Sequence, residues 1–406
     1  MRVLWLAINF PAGPDSPIGT YNWERAQALR RSQDVEVKVV SPVGVMPPES
    51  LARHPSARDL REWWAGVRAP RFHEWLDGIE VWRPRWVYPP KRWFWRHEGA
   101  WLARQTEGLM RRIVDEFRPD LLQASRLFPE GKALVRLGRR LGLPVVAVAE
   151  GSEVMTWLPR DANRQRLVSE LNAGADALVY VSGALRDRAR GEGLAAPIEA
   201  VVYNGIDTAR FSPGDPSLGE CEPTVLTVGN LQKVKGHDLL IRSLGLLASR
   251  YHLPCRLVIV GDGPERDALC RLAKDLGLAD SVLLVGSVSN RDLPGYLRSA
   301  RVMCLPSRSE GLGVAAIEAM SCGVPVVATH VGGLPEVIDE PTTGILVDPE
   351  SPDALAAGVA SALSRQWDAA LIRDSVRERF SIERTAQGFA SVYDQVLVAR
   401  SERRRP

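Results

Sequence analysis

The stretch that most restricts this chain runs from Arg301 to Pro325. A short apolar strand, Arg301 to Leu305, opens into Ser307-Arg308-Ser309-Glu310-Gly311-Leu312-Gly313, and a helix follows that Gly323-Val324-Pro325 stops. A strand that passes through a glycine turn into a helix is an α/β unit, and the first N–H groups of its helix lack intrahelical partners. They point outward and suit a phosphate. Glu310 stands before the turn and Glu318 inside the helix. A diphosphate alone gains nothing from carboxylate neighbours, whereas sugar hydroxyls donate strong hydrogen bonds to them. The stretch therefore reads as a site for a molecule with both a diphosphate and hydroxylated rings. The plainer reading is a solvated glutamate beside an ordinary α/β turn.

At 406 residues the chain is too long for one ordinary domain, and two are expected. With 45% apolar and 25% charged residues its composition is globular. No apolar run reaches the length of a membrane span. Met1 to Ile8 leads into a loop without the basic and long apolar regions of a signal peptide. A net charge of +3 is too small to imply a nucleic-acid partner. Cys221, Cys255, Cys270, Cys304 and Cys322 form no C-x-x-C pair. They read as reduced, mostly buried thiols of a cytoplasmic protein and not as a metal site.

In the N-terminal half, Arg2 to Ile8 and Val35 to Ser41 read as strands around a loop, Asn9 to Thr20, and a helix that Thr20 caps. This β-loop-α-β order predicts a parallel Rossmann-like sheet. The loop carries Gly19 but no G-x-G-x-x-G, so it is a poor dinucleotide site. Residues 45 to 101 are the least regular part, and eight of the twelve tryptophans fall between Trp63 and Trp101. They cover the domain core, or they form a membrane- or acceptor-facing surface. Tryptophan favours the bilayer interface, and the interleaved Arg83, Arg85, Lys91, Arg92 and Arg96 attract anionic headgroups. A helix from His97, a strand from Asp120, a helix from Pro129 and a strand Pro144 to Ala149 follow, ending in Glu150-Gly151-Ser152-Glu153. Further helix and strand signals lead to Asn204-Gly205-Ile206-Asp207, a turn before a Pro-, Gly- and Asp-rich linker at 208–223.

The C-terminal half repeats the alternation. Thr224 to Val228 leads through Gly229-Asn230-Leu231-Gln232-Lys233-Val234-Lys235-Gly236 into a helix from His237. Lys235 just before a helix start can meet a phosphate together with that helix end. Strands at Cys255 to Val260 and Ser281 to Val285 follow, the latter ending in Gly286-Ser287-Val288. Beyond the opening stretch come Gly332-Gly333-Leu334-Pro335-Glu336, a last strand at Gly344 to Val347, helices over 352–377 and a final helix from Ile382 to about Arg400.

Together these segments resemble the retaining glycosyltransferases of family 4, which have the GT-B fold. Glu310 and Glu318, with Pro306-Ser307 before and Cys322-Gly323-Val324-Pro325 after, match that family's E-x7-E motif. The resemblance implies an α/β architecture of two Rossmann-like domains facing across a cleft. The acceptor side would be 1–205, with the helix about 382–400 packing back on it. The donor side would be 206–381. It implies that Glu310 holds donor-sugar hydroxyls and Glu318 the ribose, while backbone at Gly311, Leu312 and Gly313 orients the sugar. Gly19 would border the cleft, and backbone at Gly286 and Val288 would read the base of a UDP- or GDP-sugar. Lys235 would meet the diphosphate beside Asn230, which stands where the family usually has arginine. The lost charge throws weight on Lys235, helped by Lys233 or Arg308. Glu150 stands where the family has a histidine that contacts the donor sugar, and an ionised glutamate accepts hydrogen bonds but cannot donate them.

Glu310, Lys235 and Glu150 are thus the expected catalytic set. No Asp-x-Asp motif occurs, and neither a metal nor another cofactor is expected, because a lysine and a helix end neutralise the phosphates. The implied reaction moves a sugar from a nucleotide-diphosphate donor to a glycan, lipid-linked or small-molecule acceptor, in the cytoplasm or at the inner face of the membrane. Two alternatives stay open. A GT-B-like nucleotide-sugar epimerase would transfer no sugar, and a non-catalytic sugar-nucleotide binding protein would bind donor without hydrolysis or transfer.

Overall fold

The computed structural model describes residues 1–11, 19–45, 72–87, 97–158, 164–214 and 223–403. Two sheets organise them. The first runs in the spatial order Ile198–Val201, Ala177–Tyr180, Val145–Ala149, Leu121–Ala124, Arg2–Leu6, Glu36–Val40, Ile79–Arg83 and Phe72–Leu76. Its neighbours are parallel except the last pair. The second, wholly parallel sheet runs Val282–Gly286, Arg256–Val260, Thr224–Val228, Val302–Leu305, Val326–Thr329 and Gly344–Val347. Helices cover both faces, so the inner strands are buried along their whole length, as at Leu121–Ala124, Val145–Ala149 and Val302–Leu305. That explains their unbroken apolar runs. In such sheets the carboxyl ends of the strands deliver the ligand-facing loops. Here those loops are the ones after Leu6, Ala149, Val228, Gly286 and Leu305.

The final helix, Ile382–Arg403, returns to the first sheet and lies against the Thr20–Ser32 helix. Phe389 and Tyr393 are its buried anchors. The Tyr393 hydroxyl donates to Gln123 Oε1, and the Arg25 guanidinium lies 4.4 Å from the Phe389 ring centre.

The structure departs from the sequence expectations in three places. Residues 72–87, expected to be irregular, form strands. Asp77 and Gly78, both left-handed at φ 46° and 80°, turn Phe72–Leu76 back onto Ile79–Arg83, as a two-residue hairpin loop requires. The pairing of Ile79–Arg83 with Glu36–Val40 then turns Trp82 inward. Trp82 and Trp86 are buried core cover, whereas Trp75 and Trp101 are exposed. Arg83, which the surface alternative would turn toward headgroups, is buried and donates to Glu74, to Ser41 Oγ at 3.2 Å and to the Phe10 carbonyl at 3.3 Å. The remaining run, with Lys91, Arg92, Trp93, Trp95 and Arg96, lies outside the described residues, as do Cys221 and the rest of 215–222 in the linker. Finally, Thr20 does not cap its helix; its hydroxyl accepts a hydrogen bond from Asn290 of the second half. Among the described residues no helix is long and apolar enough to cross a membrane.

Candidate active site

The Ser307–Gly313 loop leaves the strand Val302–Leu305 and enters the helix Val314–Ser321. Glu310 sits at its centre. Its Oε2 accepts hydrogen bonds from Lys235 Nζ at 2.7 Å and Ser307 Oγ at 3.1 Å. Lys235 ends the short turn Lys233–Lys235, just before the helix His237–Tyr251. Two expected site residues, 75 apart in sequence, are therefore brought together between two helix N-termini. Leu312 and Gly313 are buried beneath the loop, and Gly311 is half-buried.

Gly311 lies where the two halves touch. A Cβ there would stand 2.8 Å from the Glu150 carbonyl oxygen and 3.2 Å from Gly151 Cα. Only glycine permits that approach. Gly332, at φ 54°, backs the same loop, since a Cβ on it would meet the Glu310 carbonyl oxygen at 1.8 Å. The halves also exchange direct bonds. Ser182 Oγ donates to the Gly311 carbonyl at 2.7 Å. The Glu336 carboxylate accepts from Gly183 N at 2.8 Å, Ala184 N at 2.7 Å and the Tyr203 hydroxyl at 3.2 Å. It thereby fills the N-terminus of the helix Gly183–Gly191 in the other half.

Glu318 lies half-buried on the Val314–Ser321 helix, and among the described residues its carboxyl makes no hydrogen bond or ion pair. Burial raises its pKa to about 8, the charge of Glu24 adds to the rise, and Arg210 opposes it. Glu24 and Arg210 form an ion pair of their own, joining the Thr20–Ser32 helix to the segment after the Asn204–Asp207 turn. Asn230 is exposed at the mouth of the Lys235 turn. Gly286 ends the strand Val282–Gly286 and Val288 lies in the loop just beyond it, and the Gly286 carbonyl accepts from Gly261 N at 2.8 Å. Gly19 packs on the Asn9 carbonyl at the head of its helix, leaving 2.4 Å for a Cβ.

Two expectations need correction. The Glu150 carboxylate does not face the Ser307–Gly313 loop. Oε1 accepts from Arg25 Nη2 at 3.0 Å and Oε2 from Asn204 Nδ2 at 2.7 Å. Arg25 also donates to Asn204. The cation is buried among Phe389 and its neighbours, and it pulls the carboxylate inward because a buried charge needs a partner. What Glu150 presents to Gly311 is its backbone. Arg308, expected to assist Lys235, is instead committed to Asp238 and Glu350. Burial alone would raise the Asp238 pKa, but the hydrogen bonds and charge of Arg308 outweigh it and hold it below the usual range.

Other groups had no local sequence signal. His237 is buried against the Gly229 and Asn230 backbone. Burial lowers its pKa to about 4; the nearby Asn230 backbone opposes this, while the positive charge of Lys235 adds to it. Glu130, buried below the first sheet's carboxyl edge, accepts from Ile8 N and Ser125 Oγ, each at 3.2 Å, and burial raises its pKa to about 7.

Comparison with known proteins places this geometry. Residues 211–381 match the family described as glycosyl transferases group 1, and residues 18–210 match glycosyltransferase family 4. A D-inositol 3-phosphate glycosyltransferase of Segniliparus rotundus is 32% identical over 73% of this chain and 71% of its own length. A GDP-mannose-dependent alpha-(1-6)-phosphatidylinositol monomannoside mannosyltransferase of Mycobacterium tuberculosis is 37% identical over 54% of this chain. The chain aligns with 60% of that enzyme's length, and with 55% of a 35%-identical D-inositol 3-phosphate glycosyltransferase of Acidothermus cellulolyticus. The fold matches sucrose-phosphate synthase of Thermosynechococcus elongatus with a TM-score of 0.76 at 21% identity, covering 98% of this chain and 100% of that one. It also matches an Anabaena protein in complex with UDP-glucose, with a TM-score of 0.68 at 18% identity, over 97% and 100% of the two chains. With its two Rossmann-like halves and both family matches, the chain belongs to the GT-B glycosyltransferases of family 4 and group 1.

Proposed function

We propose that this protein transfers a sugar, with retention at the anomeric carbon, from a UDP- or GDP-sugar to a glycan, lipid-linked or small-molecule acceptor. The observation that carries the reading is the 2.7 Å contact between Lys235 and Glu310. The bond that breaks in such a donor lies between hydroxylated sugar and diphosphate. A carboxylate and an ammonium held together match those two sides. Glu310 accepts the sugar hydroxyls, and backbone N–H groups from Gly311 to Gly313 orient the ring. Lys235 and the start of the His237–Tyr251 helix stabilise the charge that develops on the leaving diphosphate. Glu318, without a partner of its own, accepts from the ribose. Backbone at Gly286 and Val288 borders the base, and Asn230 and Gly19 line the approach. Glu150 acts through its backbone and its place in the fold. The cationic side chain and helix end do the work a divalent metal would do, so the reaction is metal-independent.

The names of the phosphatidylinositol- and inositol-linked relatives support a lipid-linked or small polyol acceptor on the first half. For a lipid-linked one, Lys91, Arg92 and Arg96 supply peripheral contact with an anionic membrane. A thermal-shift screen of UDP-, GDP-, ADP- and TDP-sugars identifies the donor by its stabilisation of the native state. With that donor, Lys235→Ala is expected to lower kcat/KM by about 10²–10³-fold, with EDTA leaving wild-type activity unchanged. A strict requirement for a divalent ion refutes the metal-free mechanism, and an inverted product anomer refutes retention.

A further inference from the structure

Lys235 is a point charge on a flexible stem, and such a group stabilises a leaving group only if something else holds it in place. With Asn230 where a second cation would help, that demand is greater. The residue that meets it is Arg308. Its backbone N–H donates to the Val234 carbonyl at 2.8 Å. Its Nη1 donates to the Lys233 carbonyl at 2.6 Å and to Asp238 Oδ1 at 2.7 Å. Nη2 donates to Asp238 Oδ2 at 2.9 Å, and Nε to the Glu350 carboxylate at 2.8 and 3.0 Å. Every guanidinium nitrogen is thus engaged, and the side chain is 18% exposed.

These partners flank Lys235 on both sides. Lys233 and Val234 belong to its turn, and Asp238 opens the following helix. Arg308 itself is two residues from Glu310. Its rigid planar fork therefore pins the lysine-bearing turn to the glutamate-bearing loop, and two carboxylates already balance its charge. Nothing of its charge is left to offer a phosphate.

We propose that Arg308 is a positioning residue: it clamps the turn of Lys235 to the loop of Glu310 and affects sugar transfer only through Lys235. The inference rests on the proposed diphosphate role of Lys235. Calorimetric titration of UDP and GDP against UMP and GMP tests it, using the full chain as wild type, Lys235→Ala, Arg308→Ala, Arg308→Lys and the Lys235→Ala/Arg308→Ala double variant. The preference for diphosphate over monophosphate should fall about tenfold in Arg308→Ala. Arg308→Lys should behave alike, because an ammonium cannot make the fork. The double variant should bind diphosphate as Lys235→Ala does, since effects that pass through one group do not add.

A further loss in the double variant overturns the clamp in favour of direct phosphate contact. Equal losses for mono- and diphosphate overturn it in favour of general damage. If Arg308→Ala does not fold, Glu350→Gln releases one arm and must lower the same preference; an unchanged ratio there refutes the clamp. An unchanged preference in Lys235→Ala refutes the diphosphate role itself, whereas a loss there with none in Arg308→Ala refutes the clamp alone.

Discussion

Replacing Glu150 by alanine distinguishes a buried strut from a sugar ligand. Arg25 is 1% exposed and the Glu150 side chain 10%. The substitution removes two hydrogen bonds, at 3.0 and 2.7 Å, and among the described residues leaves the buried cation with Asn204 and the faces of Phe389 and Tyr21. Removing one partner of a buried pair costs about 3–5 kcal/mol, and the remaining Asn204 contact puts this case near 3 kcal/mol. For a half of this size each kcal/mol shifts Tm by about 2–4 °C. The first half should therefore melt roughly 6–12 °C earlier. In Arg25→Met/Glu150→Leu the charge disappears with its partner, so most of the loss should return. Differential scanning calorimetry of Arg25→Met, Glu150→Leu and the double variant gives the coupling directly. A Glu150→Ala protein that melts like wild type but has lost kcat refutes the reasoning, because the carboxylate would then act on the sugar.

Three further outcomes can be measured. Glu318, raised to about 8 from an unfolded value near 4.3, contributes stability that is present below about pH 4 and is lost as the pH rises through 8. Glu318→Gln should therefore flatten the fall of Tm between about pH 5 and 8, and Glu318→Ala should weaken nucleotide-diphosphate binding by roughly 1–3 kcal/mol; an unchanged pH profile places the carboxyl in water. Gly311→Ala puts a Cβ 2.8 Å from the Glu150 carbonyl, so small-angle scattering should show the halves further apart and kcat should drop, whereas wild-type kcat means the contact is not needed. Vesicle co-sedimentation checks the membrane contact: binding to anionic vesicles alone, lost on Lys91→Ala/Arg92→Ala/Arg96→Ala or at high salt, is expected at about 1 kcal/mol per basic residue, and no binding at low salt favours a soluble acceptor.

Much of the second half was legible because its signals are local. Alternating apolar runs and glycine turns specify strand, turn and helix within a dozen residues. The place of Glu310 before a glycine turn, and of Lys235 before a helix, follows from that alone. In the first half the same local logic missed the hairpin at Asp77-Gly78. Its residues are a turn signal that a tryptophan-rich background obscured, and strand pairing with Glu36–Val40 decided the matter.

The directions in which the charged side chains turn belong to the tertiary structure. Lys235 meets Glu310 because two βα units 75 residues apart share one sheet edge. Glu150 turns inward because Arg25, 125 residues away, is buried beside it by the returning final helix. Arg308 looked like a spare cation in the sequence and became a clamp once Asp238 and Glu350 came within reach. A residue's type and spacing limit what it can bond to. Which partner it takes depends on the long-range packing that buries one charge beside another, where leaving either unpaired costs most.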